Sequence, residues 1–227
     1  MNHIKHIFFD LDHTLWDFET NSDLAFKAIF KKHNVNVDLL KFLNYYRNIN
    51  ENYWKLYREE KVTKEQLRVG RLKDAFDIIK FNASIDLIET LADDYIECLP
   101  DNNYLFEGTH EILAHLQPNF KLHIITNGFN EVQGKKMANS GLDVYFDKII
   151  TSEQVGVKKP NPLIFEFALK QANAQANESI MIGDNWEADI MGAKNAGLDV
   201  IYCNFDGKPV SESIKSVTNL SQIKHYL

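Results

Sequence analysis

The sequence predicts an α/β protein with a doubly wound parallel sheet, interrupted early by a helical insertion. Three observations carry that expectation. A short apolar strand, Ile7-Phe8-Phe9 within residues 4–10, ends abruptly in two carboxylates, Asp10 and Asp12. Residues 20–100 then show no convincing strand pattern, whereas from about residue 105 helix and strand patterns alternate, as a parallel sheet requires. Later apolar strands end, like the first, in polar residues.

Within the insertion, spaced apolar positions predict four helices forming a bundle. Leu24, Ala25, Ala28 and Ile29 share one helical face, and Leu87, Leu91, Tyr95 and Cys98 share another. Thr63-Lys64-Glu65-Gln66 fits a capping box, in which the first and last side chains satisfy each other's backbone N–H groups. Beyond the insertion, strands are expected at 121–126, 148–151, 179–184 and 200–203, with helices at 109–117, 129–140, 162–172 and 187–196. Gly141 and Gly197 stand where helices should stop. The predicted division is an α/β unit of residues 1–15 and 101–227 with a helical cap of residues 16–100. Ligands of open α/β sheets sit at the carboxyl ends of the strands. A cap inserted beside Asp10 and Asp12 is therefore expected to lie over them and exclude water.

Composition narrows the function classes. With 227 residues, 44% hydrophobic and 25% charged, the chain is long enough for a sizeable core and ordinary for a soluble protein. A net charge of −7 argues against a nucleic-acid or anionic-membrane partner, while leaving room for a small anionic substrate held by local positive charge. Cys98 and Cys203 are the only cysteines, so neither a disulfide framework nor a Cys-rich zinc site is indicated. No apolar run is long enough for a signal-peptide core or a membrane span, and a cytoplasmic monomer or homodimer is expected.

The polar strand ends carry the chemistry. Asp10-x-Asp12-x-Thr14 can supply a carboxylate nucleophile, an acid/base partner and a cation site from one turn. Thr126-Asn127-Gly128 closes the next strand and opens a helix, where a hydroxyl, an amide and backbone N–H groups can cradle an anion. In Val157-Lys158-Lys159-Pro160-Asn161-Pro162, Asn161 can cap the helix that Pro162 opens, and Pro160 stiffens the approach to Lys159. Adjacent Lys158 competes for the same cationic role. The fourth such end is Ile182-Gly183-Asp184, with Asp189 shortly after.

In these four motifs the chain resembles the haloacid dehalogenase superfamily of aspartate-nucleophile phosphotransferases. The resemblance rests on Asp10-x-Asp12-x-Thr14, Thr126-Asn127, Lys159-Pro160 and Gly183-Asp184-x-x-x-x-Asp189, with a helical insert between the first and second motifs. The longer words Ile125-Thr126-Asn127-Gly128-Phe129, Thr151-Ser152-Glu153-Gln154-Val155-Gly156-Val157 and Lys159-Pro160-Asn161-Pro162 resemble its pyrimidine and noncanonical-nucleotide 5′-nucleotidase branch. The resemblance implies an Mg²⁺-dependent phosphomonoester hydrolase. Asp10 is then the nucleophile and Asp12 the acid/base group, while Thr126, Asn127 and Lys159 hold the phosphoryl group. It also implies that the Asp10 carboxylate, the Asp12 backbone carbonyl and Asp184 ligate the metal, with Asp189 ordering them from behind.

Other readings stay open at this level. A sugar-phosphate phosphatase or a β-phosphoglucomutase-like phosphotransferase would keep every motif. A 2-haloacid dehalogenase would need no second carboxylate at Asp12, and a non-catalytic binding protein would be expected to lose a charged motif residue. Phe18, Tyr45, Tyr46, Tyr53, Trp54 and Tyr57 are candidates to stack on a nucleoside monophosphate, against the plainer expectation that they pack the helical core. Trp16, Phe18 and Trp186 lie nearest the motifs in sequence.

Overall fold

The computed structural model describes residues 3–211 and 213–227, in two compact units. Residues up to Phe18 together with Asn103–Leu227 form one, and Glu19–Asn102 form the other.

Strand β1 (His6–Phe9) is the centre of the first unit. It is followed by β2 (Lys121–Thr126), β3 (Lys148–Thr151), β4 (Ser179–Gly183), β5 (Asp199–Cys203) and β6 (Lys215–Val217). Their order across the sheet is β3-β2-β1-β4-β5-β6, and every pairing is parallel. Alternate side chains of β1 point to opposite faces, and Ile7, Phe8 and Phe9 are all wholly buried, so both faces of the sheet are covered. That double burial is why the strand reads as a continuous apolar run. Strand β6 escapes sequence reading because Lys215-Ser216-Val217 is too short to show a period.

Around the sheet lie α5 (Thr109–Leu116), α6 (Asn130–Asn139), the single turn α7 (Ser152–Val155), α8 (Pro162–Ala172) and α9 (Gly192–Asn195). Asn161 caps α8 by accepting from the Leu163 N–H, with Pro162 as its first residue. Gly141 and Gly197 follow helices with positive φ, a conformation that costs glycine nothing. The helix expected at 187–196 is not one α-helix: a π-helical turn, Trp186–Met191, precedes α9. Such turns are rare and frequent at functional sites.

The strand order reverses at β1, with β2 on one side and β4 on the other. Phe9 pairs with Ile124 and Ile182, and the Asp10 N–H continues the register by donating to the Ile182 carbonyl. The carboxyl ends of β1, β2 and β4 are thereby brought level, at the crevice where open sheets bind ligands.

The second unit is built on α1 (Phe18–Lys32), α2 (Leu39–Arg58), α3 (Lys64–Ile78) and α4 (Ile85–Cys98). The capping box forms on Thr63 and Gln66. On α1 the expected stripe is rotated: Ala25 and Ile29 are buried, but Ala28 faces solvent and Phe26 and Phe30 take the core positions. Bulk decides this, because an aromatic ring removes far more apolar surface from water than a methyl group. Phe26 packs against Phe42, Tyr46 and Tyr95 with ring centroids 5.1, 4.5 and 4.5 Å away. Tyr46 is therefore a core residue of this unit, and Tyr57, packed edge-on to Trp54, is buried as well. Two connectors join the insertion to the sheet, and they pair with each other: the Asp17 N–H donates to the Tyr104 carbonyl and the Phe106 N–H to the Leu15 carbonyl. Among the described residues, no helix is long and apolar enough to cross a membrane.

Candidate active site

Asp10 stands immediately after β1, and its Oδ1 accepts a 2.7 Å hydrogen bond from Lys159 Nζ. Among the described residues no hydrogen bond reaches its other oxygen. Lys159 is 2% exposed, and its ammonium also meets Asp189 Oδ1 at 2.6 Å and the Ile125 carbonyl at 2.6 Å. An ammonium this buried is tolerated only when fully partnered. Burial works against its charge, but Asp10 and Asp189 outweigh burial and raise the Lys159 pKa. Lys159 rather than the half-buried Lys158 therefore meets Asp10.

Asn127 fixes the backbone that carries this lysine. Its Nδ2 donates to the Lys159 carbonyl at 3.0 Å, and its Oδ1 accepts from the Lys159 N–H at 2.8 Å. Thr126 Oγ1 accepts from the Gly128 N–H at 3.0 Å, holding the turn that leads into α6. Thr14, wholly buried, donates to Asp184 Oδ1 at 3.3 Å. Asp189, on the π-helical turn, uses its second oxygen to accept from the Asn185 N–H. Gly183 lies hard against Asp189, since a Cβ there would fall 2.4 Å from Asp189 Oδ2.

Asp12 is held by two residues that the motif reading did not single out. Lys136 Nζ is 2.5 Å from Asp12 Oδ1, and Gln133 Nε2 donates to Oδ2 at 2.9 Å. Burial disfavours the Asp12 charge, but the Lys136 ammonium and then the Gln133 amide outweigh it and hold the carboxyl below its usual range. Neither stands out in the sequence, because their burial shows only in the fold. The buried positions of α6 are Val132, Gln133, Met137 and Lys136, so a polar pair occupies half of an otherwise apolar stripe.

Oxygens of Asp10, Asp184 and Asp189 lie within 4.8 Å of one another. Burial, reinforced by the Asp189 charge, pushes Asp184 up to about 8. Asp10 is raised well above the ordinary range by burial and, against the pull of Lys159, by Asp189 and Asp184. Carboxyls driven toward protonation by their neighbours are groups whose repulsion a hard divalent cation would relieve. The donor set thus fits Mg²⁺. With both Asp189 oxygens engaged by Lys159 and Asn185, Asp10 and Asp184 are the carboxylates left for the cation.

Asp10, Asp12, Thr126, Asn127, Lys159, Asp184 and Asp189 therefore converge at one end of one sheet. Residues 4–197 match the sequence profile of the haloacid dehalogenase-like hydrolases. The chain belongs to that family. Among similar proteins, the pyrimidine 5′-nucleotidase PynA of Streptococcus pneumoniae is 34% identical, over 88% of this chain and 84% of its own. The pyrimidine 5′-nucleotidase YjjG of Escherichia coli is 32% identical, over 96% and 93%. The HAD-hydrolase YfnB of Bacillus subtilis is 30% identical over 100% of this chain and 97% of its own. A crystal structure of YfnB bound to magnesium superposes with a TM-score of 0.89 at 28% identity, covering 99% of this chain and 98% of that one.

Proposed function

We propose that this protein is an Mg²⁺-dependent phosphomonoester hydrolase working through an aspartyl-phosphate on Asp10, and that its substrates are nucleoside 5′-monophosphates, pyrimidine ones foremost. The observation that carries the reading is the buried Asp10–Lys159–Asp189 array beside a separately held Asp12. It supplies a nucleophile and a distinct acid/base group, which a carbon-attacking dehalogenase would not need.

A carboxylate oxygen of Asp10 attacks phosphorus while Lys159 holds the group in place. As the P–O bond to the leaving group breaks, its electron pair stays on the leaving oxygen and Asp12 delivers a proton there. Asp12 rests ionised beside Lys136, and it takes up that proton from solvent as the substrate's phosphate brings further negative charge next to it. In the second step water attacks the aspartyl-phosphate, Asp12 accepts the water's proton, and the Asp10 carboxylate is released with inorganic phosphate. Thr126 holds a phosphoryl oxygen, Lys159 exchanges one of its three resting partners for another, and Asn127 sets the Lys159 backbone at that position. The Asp10 and Asp184 carboxylates and the Asp12 backbone carbonyl would hold Mg²⁺, whose charge would offset the negative charge of carboxylate and phosphate brought together.

The nucleotide preference is supported by what PynA and YjjG are named for, together with the sequence words shared with that branch. The test is phosphate release from a panel of nucleoside monophosphates and sugar phosphates, with Mg²⁺, with EDTA, and with Asp10→Asn. Mg²⁺-dependent release that Asp10→Asn abolishes is the expected result. Equal or better turnover of sugar phosphates would refute the nucleotide assignment, and no release from any ester would refute the phosphatase one.

A further inference from the structure

Asp12 is gripped from a single helix face. Gln133 and Lys136 are three residues apart on α6, a spacing that points both side chains the same way. They are 1% and 2% exposed, and Lys136 Nζ lies 4.0 Å from the Trp16 ring centroid and 5.4 Å from that of Phe18. The ammonium is thus boxed between a carboxylate and two aromatic rings. Packing alone does not favour a lysine there, because a buried ammonium is costly without a charged partner. Gln133 Nε2 reaches Thr126 Oγ1 at 2.8 Å as well as Asp12, tying the acid/base carboxylate to the strand end proposed to hold phosphate. Room for this amide exists only because residue 128 is glycine: a Cβ there would fall 1.8 Å from Gln133 Nε2.

We infer that Gln133 and Lys136 are positioning residues for Asp12, fixing its two oxygens so that one is presented to the leaving group. The inference rests on the phosphatase reading above. Its consequence depends on the leaving group. An alkoxide must be protonated as the P–O bond breaks, whereas p-nitrophenolate is stable as an anion and needs no proton. A misplaced Asp12 therefore slows phosphoryl transfer from an alkyl ester and spares transfer from p-nitrophenyl phosphate.

The experiment compares wild type, Lys136→Met and Gln133→Leu, all Mg²⁺-loaded and checked for folding by thermal melts. One substrate is p-nitrophenyl phosphate. The other is uridine 5′-monophosphate or glucose 6-phosphate, whichever the wild type turns over faster. The reported quantity is kcat/KM, which covers the steps up to transfer onto Asp10. For the alkyl ester, Lys136→Met is expected to lose about 100-fold, with KM changed less than about threefold; for p-nitrophenyl phosphate the loss stays below about tenfold. Gln133→Leu should show the same selectivity with a smaller loss. In an Asp12→Ala background, Lys136→Met should add less than about twofold, because the group it positions is gone. Equal losses on both esters, or no loss on either, would overturn the positioning role while leaving the phosphatase reading intact. Release from neither ester by the folded wild type would overturn the phosphatase reading and this inference with it.

Discussion

Gly183→Ala tests whether the Lys159 anchor depends on the close approach of β4 to the π-helical turn. The added methyl group would lie 2.4 Å from Asp189 Oδ2, 2.6 Å from Cγ and 2.7 Å from Cβ. Rotating the Asp189 side chain relieves the first two contacts. It does nothing for the third, because Cβ is fixed by the backbone of the turn. The backbone must therefore move, which places the cost near the top of the roughly 1–3 kcal/mol range for overpacking. Against this, alanine restricts the unfolded chain and returns about 0.4–1 kcal/mol, since the φ of Gly183 is not positive and strains no side chain. The net destabilisation is about 2 kcal/mol, a fall of roughly 4–8 °C in Tm for a chain of this size. Displacing Asp189 also withdraws one of the two carboxylates that hold Lys159, so kcat/KM should fall at least about tenfold. Gly134→Ala serves as the comparison: its Cβ meets nothing within 4 Å at an exposed position of α6, and it should gain about 0.5–1 kcal/mol. A Gly183→Ala protein that melts within about 1 °C of wild type and keeps full activity would refute the reasoning.

Three further outcomes are expected. Gly128→Ala meets only the flexible end of Gln133 and the tip of Asp12, so Tm should move by less than about 3 °C while kcat/KM falls about tenfold or more; phosphate release and a melt decide it. His123 is buried, and burial followed by the His6 charge lowers its pKa from 6.5 to about 4. The unfolded state then binds more protons than the folded one between those values, so stability present above pH 6.5 should drain away on acidification toward pH 4, by about 3 kcal/mol from this group. His123→Leu should flatten that decline in urea titrations run across the window, and an unchanged slope would sink the assignment. Finally, Mg²⁺ at about 100 times its Kd should raise Tm by roughly 5–10 °C. Asp184→Asn should remove most of that rise and increase Tm without metal, because it deletes a carboxyl held against burial and Asp189; differential scanning calorimetry reads both.

Strand β1 and the polar ends of β1, β2 and β4 were legible because burial on both faces leaves an unbroken apolar run, after which Asp10 and Asp12 have no packing reason to stand. The Lys159-Pro160 motif had already pointed to Lys159 rather than Lys158, and it is Lys159 that meets Asp10. Gln133 and Lys136 were hidden for a physical reason. Polar residues at buried helix positions look like ordinary exceptions until the fold shows what they face, and their partner Asp12 lies more than a hundred residues away in sequence. The stripe on α1 was misaligned because alanine and phenylalanine both count as apolar, although only the ring fills the core between α1 and its neighbours. No periodicity rule anticipates the π-helical turn, which adds one residue per turn just where Asp189 must reach Lys159.

The paired connectors have an evolutionary meaning. Because the chain leaves the sheet at Leu15–Asp17 and returns beside itself at Tyr104–Phe106, everything between behaves, from the sheet's side, as one very long loop with its ends already tied. Closing such a loop costs little more as it lengthens, since the entropy grows only with the logarithm of its length. The insertion can therefore be rewritten, enlarged or trimmed by descent while strand register and the carboxylate turn remain undisturbed.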